Sequence, residues 1–164
     1  MGNPTAVQVH DVPRRIREAG PAEFDYVDLF VAAIPRGVSG TPEQWARATM
    51  EGASPVGRFL AWQSVLGLRL DKRPAPDRVV GWQIVDRRED SIRVEAQSWL
   101  ITANMLFHVT ADEVSFATFV RFHSAFAAGV WGAVSVVHRA VAPDFLRSGV
   151  RRVARGYAGY DGRG

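Results

Sequence analysis

Apolar and polar residues alternate along much of the chain and then change to three- and four-residue spacing, a pattern that predicts a sheet closed by a helix. From Glu23 to Ile34, Phe24, Tyr26, Asp28 and Phe30 share one face and Asp25, Val27, Leu29 and Val31 the other, until Pro35 and Gly37 end the strand. Val80, Trp82 and Ile84 then alternate with Gly81, Gln83 and Val85. Beyond the charged turn 87–90, Ile92, Val94 and Ala96 oppose Arg93, Glu95 and Gln97, as in an antiparallel sheet with one buried and one wet face. A turn is expected near Ile101 and Thr102. Matching apolar faces in the last hairpin pairs Val109 with Phe116, Phe107 with Thr118 and Met105 with Val120, with the turn at Asp112 and Glu113.

Helix signals punctuate this pattern. Thr41, Pro42 and Gln44 supply an N-cap, a first-position proline and a capping-box partner for a helix over 42–51. Ser54 and Pro55 open a second, over 55–66, with Phe59, Trp62 and Leu66 as its apolar face and Gly67 as its cap. From Gly129 to about Arg155, Val130, Val134, Val137, Val141 and Phe145 mark the stripe of a long helix, which Pro143 is expected to kink or break near 139–142. The expected organisation is an irregular arm over 1–22, one α+β domain over 23–155 and a flexible tail over 156–164.

Composition narrows the function classes. A chain of 164 residues with 47% hydrophobic content suits one core, and without cysteine it can hold neither a disulfide nor a thiolate metal site. Only Lys72 among the 20 basic residues is a lysine, a skew read as codon bias; the arginines are scattered except for Arg147, Arg151, Arg152 and Arg155, which suit a helix C-terminus. No basic stripe is interleaved with stacking aromatics, so nucleic acid is not the expected partner. The apolar run 126–137 is shorter than the roughly 20 residues of a membrane span, and no signal segment precedes it, so a cytoplasmic protein without membrane insertion is expected.

The order of strand, two short helices, antiparallel sheet and long C-terminal helix resembles the helix-grip superfamily of START lipid-transfer domains, polyketide cyclases and dehydrases, and pollen-allergen-like carriers. Phe119-Val120-Arg121-Phe122-His123 and Val137-His138-Arg139, followed by Pro143, Phe145 and Leu146, carry the likeness most closely, and they look most like a bacterial branch of unassigned function. The resemblance implies a cavity between sheet and helix for a hydrophobic or amphipathic molecule. It transfers no catalytic motif and no cofactor.

On this reading Trp82, Ile84, Val94, Met105, Phe107, Phe116, Thr118, Val120, Phe122 and Val134 line the ligand site, and room arises where Gly129, Gly132 and Ala133 face the sheet. His138 flanks the helix stripe, where it either satisfies the core or orients a ligand or serves as a general base. His108 and His123 lie on the outer face about 20 Å apart, which argues against a shared metal. Asp86 reads as a solvated rim carboxylate. Arg121 reads as an outward residue paired with a surface carboxylate, unless a bulge turns it inward. The leading expectation is a non-enzymatic binding protein, with a cyclase- or dehydrase-type enzyme and a filled-core structural or regulatory module as alternatives.

Overall fold

The structure, a computed structural model, describes residues 5–52, 65–71 and 73–156. Seven strands form one antiparallel sheet in the order β1-β2-β7-β6-β5-β4-β3. In chain order the elements are β1 (Ala6–Val9), α1 (Arg14–Ala19), β2 (Tyr26–Ala33), α2 (Pro42–Glu51), β3 (Arg78–Val79), β4 (Trp82–Arg87), β5 (Ser91–Gln97), β6 (Ile101–Val109), β7 (Glu113–Phe122) and α3 (Ala125–Ala154). With α2 and α3 on the inner face, this is the α+β layout of a helix grip. The second short helix expected over 55–66 falls mostly outside the described residues.

The inner core joins Phe30, Trp82, Ile92, Val94, Met105, Phe107, Phe116 and Val120 of the sheet to Trp45 and Met50 of α2 and to Trp131, Leu146 and Val150 of α3. Thr41 caps α2 as its sequence predicts, with Oγ1 accepting from Gln44 N and the Gln44 side chain accepting from Thr41 N. The two helices approach closely because Gly149 has no side chain: a Cβ there would stand 2.9 Å from Thr49 Cβ and 3.0 Å from its Cα.

Of the arm expected over 1–22, the described residues 5–22 hold a strand and a helix. β1 extends the sheet beside β2, and α1 folds over the outer face, where Val12, Ile16 and Ala19 bury against Leu29, Leu106, Ala117 and Phe119. The outer face is therefore partly dry. Gly20 ends α1 directly against the Phe119 ring, where a Cβ would come within 2.6 Å of it.

Three local expectations also change. The obscure turn lies at 98–100 rather than at Ile101 and Thr102: Ser98 Oγ accepts from Leu100 N and Ile101 N, a local hydroxyl-to-backbone pattern that substitutes for glycine or proline. Val80 belongs to a turn, not to the strand face, because Val80 and Gly81 both have positive φ between Val79 and Trp82, as a type I′ hairpin requires. In the last hairpin Val109 pairs with Val114, Phe107 with Phe116, Met105 with Thr118 and Ala103 with Val120, a shift of two residues from the predicted register. Thr110 tightens that turn by accepting from Asp112 N and Glu113 N, and since two residues is one full strand period every side chain keeps its face.

The long helix is turned about its axis from the expected setting. It begins at Ala125 under Ser124, whose Oγ accepts from Ala127 N, and it runs through Pro143 without a break. Ala127, Trp131, Ser135, His138, Ala142, Leu146, Gly149 and Val150 are its buried residues, whereas Val137 and Val141 are 64% and 51% exposed and Val134 is half-buried. Trp131 and Leu146 bring larger apolar groups to the sheet than the valines would. Gly129, Gly132 and Ala133 accordingly face solvent, so they open no room above the sheet.

Candidate functional site

A polar cluster interrupts the inner core where β2, β7 and α3 meet. The alternation of β2 puts Tyr26, Asp28 and Phe30 on the inner face, and the β2–β7 register sets Asp28 opposite Thr118 and Phe30 opposite Phe116. His138 descends onto this row from the buried side of α3. Its Nε2 lies 3.2 Å from Asp28 Oδ2 and 3.1 Å from Thr118 Oγ1. Tyr26 donates its phenolic hydrogen to the same Asp28 oxygen at 2.8 Å, and Arg139 Nη1 donates to Tyr26 Oη at 3.2 Å.

This network lies in aromatic surroundings. The His138 ring centroid is 5.7 Å from that of Trp131, 6.3 Å from Phe30 and 6.4 Å from Phe116, and Tyr26 meets Trp131 edge-on at 5.2 Å. Asp28 is 3% and His138 7% exposed, so water screens neither. Burial and the adjoining Asp28 carboxylate push the Tyr26 hydroxyl up to about 12, against the opposing pull of Arg139. Tyr26 therefore stays protonated and keeps donating to Asp28.

Two polar atoms in this cluster have no hydrogen-bond partner among the described residues: Asp28 Oδ1, an acceptor, and Trp131 Nε1, a donor. A buried group left in that condition costs about 1–3 kcal/mol, so such atoms mark places where another molecule can bond. The arrangement can hold a small polar group against an apolar wall. It can also orient an imidazole by a carboxylate, the geometry from which His acts as a general base.

The structure assembles the sequence-selected residues unevenly. Trp82, Val94, Met105, Phe107, Phe116, Thr118 and Val120 have 1% exposure or less and Ile84 has 8%, so no water-sized space adjoins most of them. Phe116 packs at 5.2 Å from Phe107 and 5.4 Å from Phe145. Phe122 and Val134 are half-buried, and Thr118 and His138 bond directly. Asp28, Tyr26 and Trp131 are not among the site residues that the sequence pattern predicts. Asp28 carried the available signal, an acidic residue between Tyr26 and Phe30 on an otherwise apolar strand face.

The remaining polar candidates lie elsewhere. Asp86 follows an irregularity in the β4–β5 register and pairs with Arg88 at 2.9 Å. Arg121 points outward to Glu23 at 2.7 Å from an unbroken β6–β7 ladder. His108 approaches Asp90 at 3.4 Å. His123 Nε2 lies 3.0 Å from Thr102 Oγ1, although Thr102 pairs across the ladder with Arg121 and not with His123. Among the described residues no three His, Asp or Glu side chains are grouped to hold a metal ion. An open groove at the N-terminus of α2, bordered by Ser39, Thr41, Arg88 and Glu89, is remote from the cluster in the fold.

No family model matches the chain, and no curated protein matches it. Among solved structures it is similar to protein Ms6760 from Mycobacterium smegmatis at 12% identity and a TM-score of 0.40, over 82% of this chain and 91% of that one.

Proposed function

We propose that the protein belongs to the helix-grip superfamily and binds, without transforming it, an amphipathic small molecule between the sheet and α3. The observation that carries this reading is the pair of unpartnered buried atoms, Asp28 Oδ1 and Trp131 Nε1, set among Phe30, Phe116 and Trp131. An acceptor and a donor in one apolar setting suit a hydroxyl-bearing molecule, whose O–H donates to Asp28 and whose oxygen accepts from Trp131. Its hydrocarbon body would lie beside half-buried Val130, Val134 and Phe122, at the edge of the packed core. Titration with a medium-chain aliphatic alcohol and its parent alkane, followed by tryptophan emission, tests this. The alcohol should bind more tightly by about tenfold, a difference of about 1.4 kcal/mol, and Asp28→Asn with Trp131→Phe should abolish the preference; equal binding of alcohol and alkane would reject the site.

The close packing around Phe107 and Phe116 favours a second reading, a filled-core structural or regulatory module. A folded sample that takes up no lipophilic probe supports that reading over the first. The Asp28–His138 bond gives the cyclase- or dehydrase-type alternative its chemistry, and turnover of a polyketide- or lipid-like substrate lost about a hundredfold in His138→Ala would establish it.

A further inference from the structure

The face of α3 turned away from the sheet carries Phe126, Gly129, Ala133, Val136, Val137, Ala140 and Val141, all exposed and all apolar, at helical spacing over more than four turns. Trp99 extends it by stacking on Phe126 with ring centroids 6.3 Å apart. Trp99 is 68%, Phe126 65%, Val137 64%, Val136 60% and Val141 51% exposed. No charged residue lies between Ser124 and His138, and the next residue along this face after Val141 is Asp144.

We infer that this face is the contact surface of a two-fold dimer of the chain, with α3 paired antiparallel to α3 of the second copy across Ala133. The stripe is complementary to itself. With Ala133 at the axis, Phe126 of one copy meets Ala140 and Val141 of the other, so the bulkiest side chain of the helix stripe faces one of its smallest. Gly129 and Ala133 keep the centre shallow, and a Cβ placed at Gly129 meets nothing within 4 Å, leaving the approach clear. Asp144 of each copy then comes to the N-terminal end of the other α3, where the exposed amides favour a carboxylate. The two aromatics and three valines present on the order of 500 Å² per copy, about 1,000 Å² over the pair, which reaches the lower bound for a specific interface. A helix lying on an anionic membrane surface would carry basic residues along its rim. The uncharged stretch from Ala125 to Val137 does not, and this favours a second copy over a lipid surface even though α3 is long and apolar enough to cross a membrane by length and composition.

The natural absence of cysteine gives a direct test. Ala133→Cys, placed at the two-fold axis, should oxidise to a covalent dimer in high yield at micromolar protein, while Val85→Cys, exposed on β4, should remain monomeric. Sedimentation should show the wild-type chain as a dimer and Val137→Glu as a monomer with an unchanged circular dichroism spectrum. A wild-type monomer would overturn the inference, as would a dimer that survives Val137→Glu. Monomeric protein that floats with phosphatidylcholine vesicles through this face would overturn it too, in favour of a lipid surface. None of these readouts depends on the ligand proposed for the inner face.

Discussion

Asp28 on β2 and His138 on α3 meet at 3.2 Å between sheet and helix, where Tyr26 donates to the same Asp28 oxygen and Thr118 bonds His138. The helix that grips the sheet is thus fixed to it at a polar point as well as by packing. His138→Ala should take a hydrogen-bond partner from buried Asp28 and Thr118 and cost about 1–3 kcal/mol in chemical denaturation. Adding Asp28→Asn to that variant should recover part of the loss, because an amide is less costly than a carboxylate to bury with the Tyr26 bond alone. Strict additivity of the two changes would show that the side chains are not coupled.

Tyr26 links stability to alkaline pH. Its folded-state value, about 12, lies above the ordinary 10.0, so its stabilisation is complete below pH 10 and is lost as pH rises through about 12. A spectroscopic tyrosinate titration should show one late-ionising tyrosine, absent in Tyr26→Phe. Ionisation of all tyrosines together in folded protein would contradict the burial and the Asp28 contact.

Trp131→Phe retains an aromatic ring against Tyr26 and His138 while deleting an N–H that has no partner among the described residues. Ligand-free stability should hold within about 1 kcal/mol, since no protein hydrogen bond disappears. Affinity for a hydroxyl-bearing ligand should fall. A large loss of ligand-free stability would place the value of Trp131 in packing alone.

Val80 has φ of 51°, a conformation that costs a β-branched residue roughly 1–2 kcal/mol, whereas asparagine adopts it readily. Val80→Asn should raise the thermal midpoint. Gly81→Ala should lower it, because φ there is 86° and the added Cβ would stand 2.7 Å from Asp71 O. Equal midpoints for both variants would rule out the I′ turn.

Gly149→Ala tests the contact between α2 and α3. The new methyl would collide with Thr49, whose Cα as well as side chain is in the way, so the helices must separate. A loss on the order of 1–3 kcal/mol is expected, the usual cost of overpacking. Thr49→Ala should recover only part of it, since the backbone contact remains.

The sequence made the sheet and its faces legible because alternation survives errors of register: the last hairpin slipped by two residues and still presented Phe107, Phe116 and Thr118 inward. Helix orientation was less secure. Valines are spaced regularly on both sides of α3, and only the size of Trp131 and Leu146, which spacing ignores, selects the buried side. Order in the N-terminal segment is hidden from periodicity because six residues of α1 are too few to sustain one, and Ile16 acquires its meaning only once α1 folds over Leu106 and Phe119. His138 could be singled out from its place in the helix. Its partnership with Asp28 could not, because that contact depends on how α3 is turned over a strand from the opposite end of the chain.

The pairing of β2 with β7 also bears on the order of synthesis. β2 is synthesised before β3–β6, yet its long partner in the ladder, β7, is made only after that whole run has emerged. Until then the edge of β2 that β7 covers stays open, since β1 occupies the opposite edge, and His138, which meets Asp28 from α3, arrives later still. Nascent chains stalled before Glu113 should therefore remain protease-sensitive and recruit chaperones, and protection should appear late and all at once, when β7 and α3 close a sheet that was waiting for its middle.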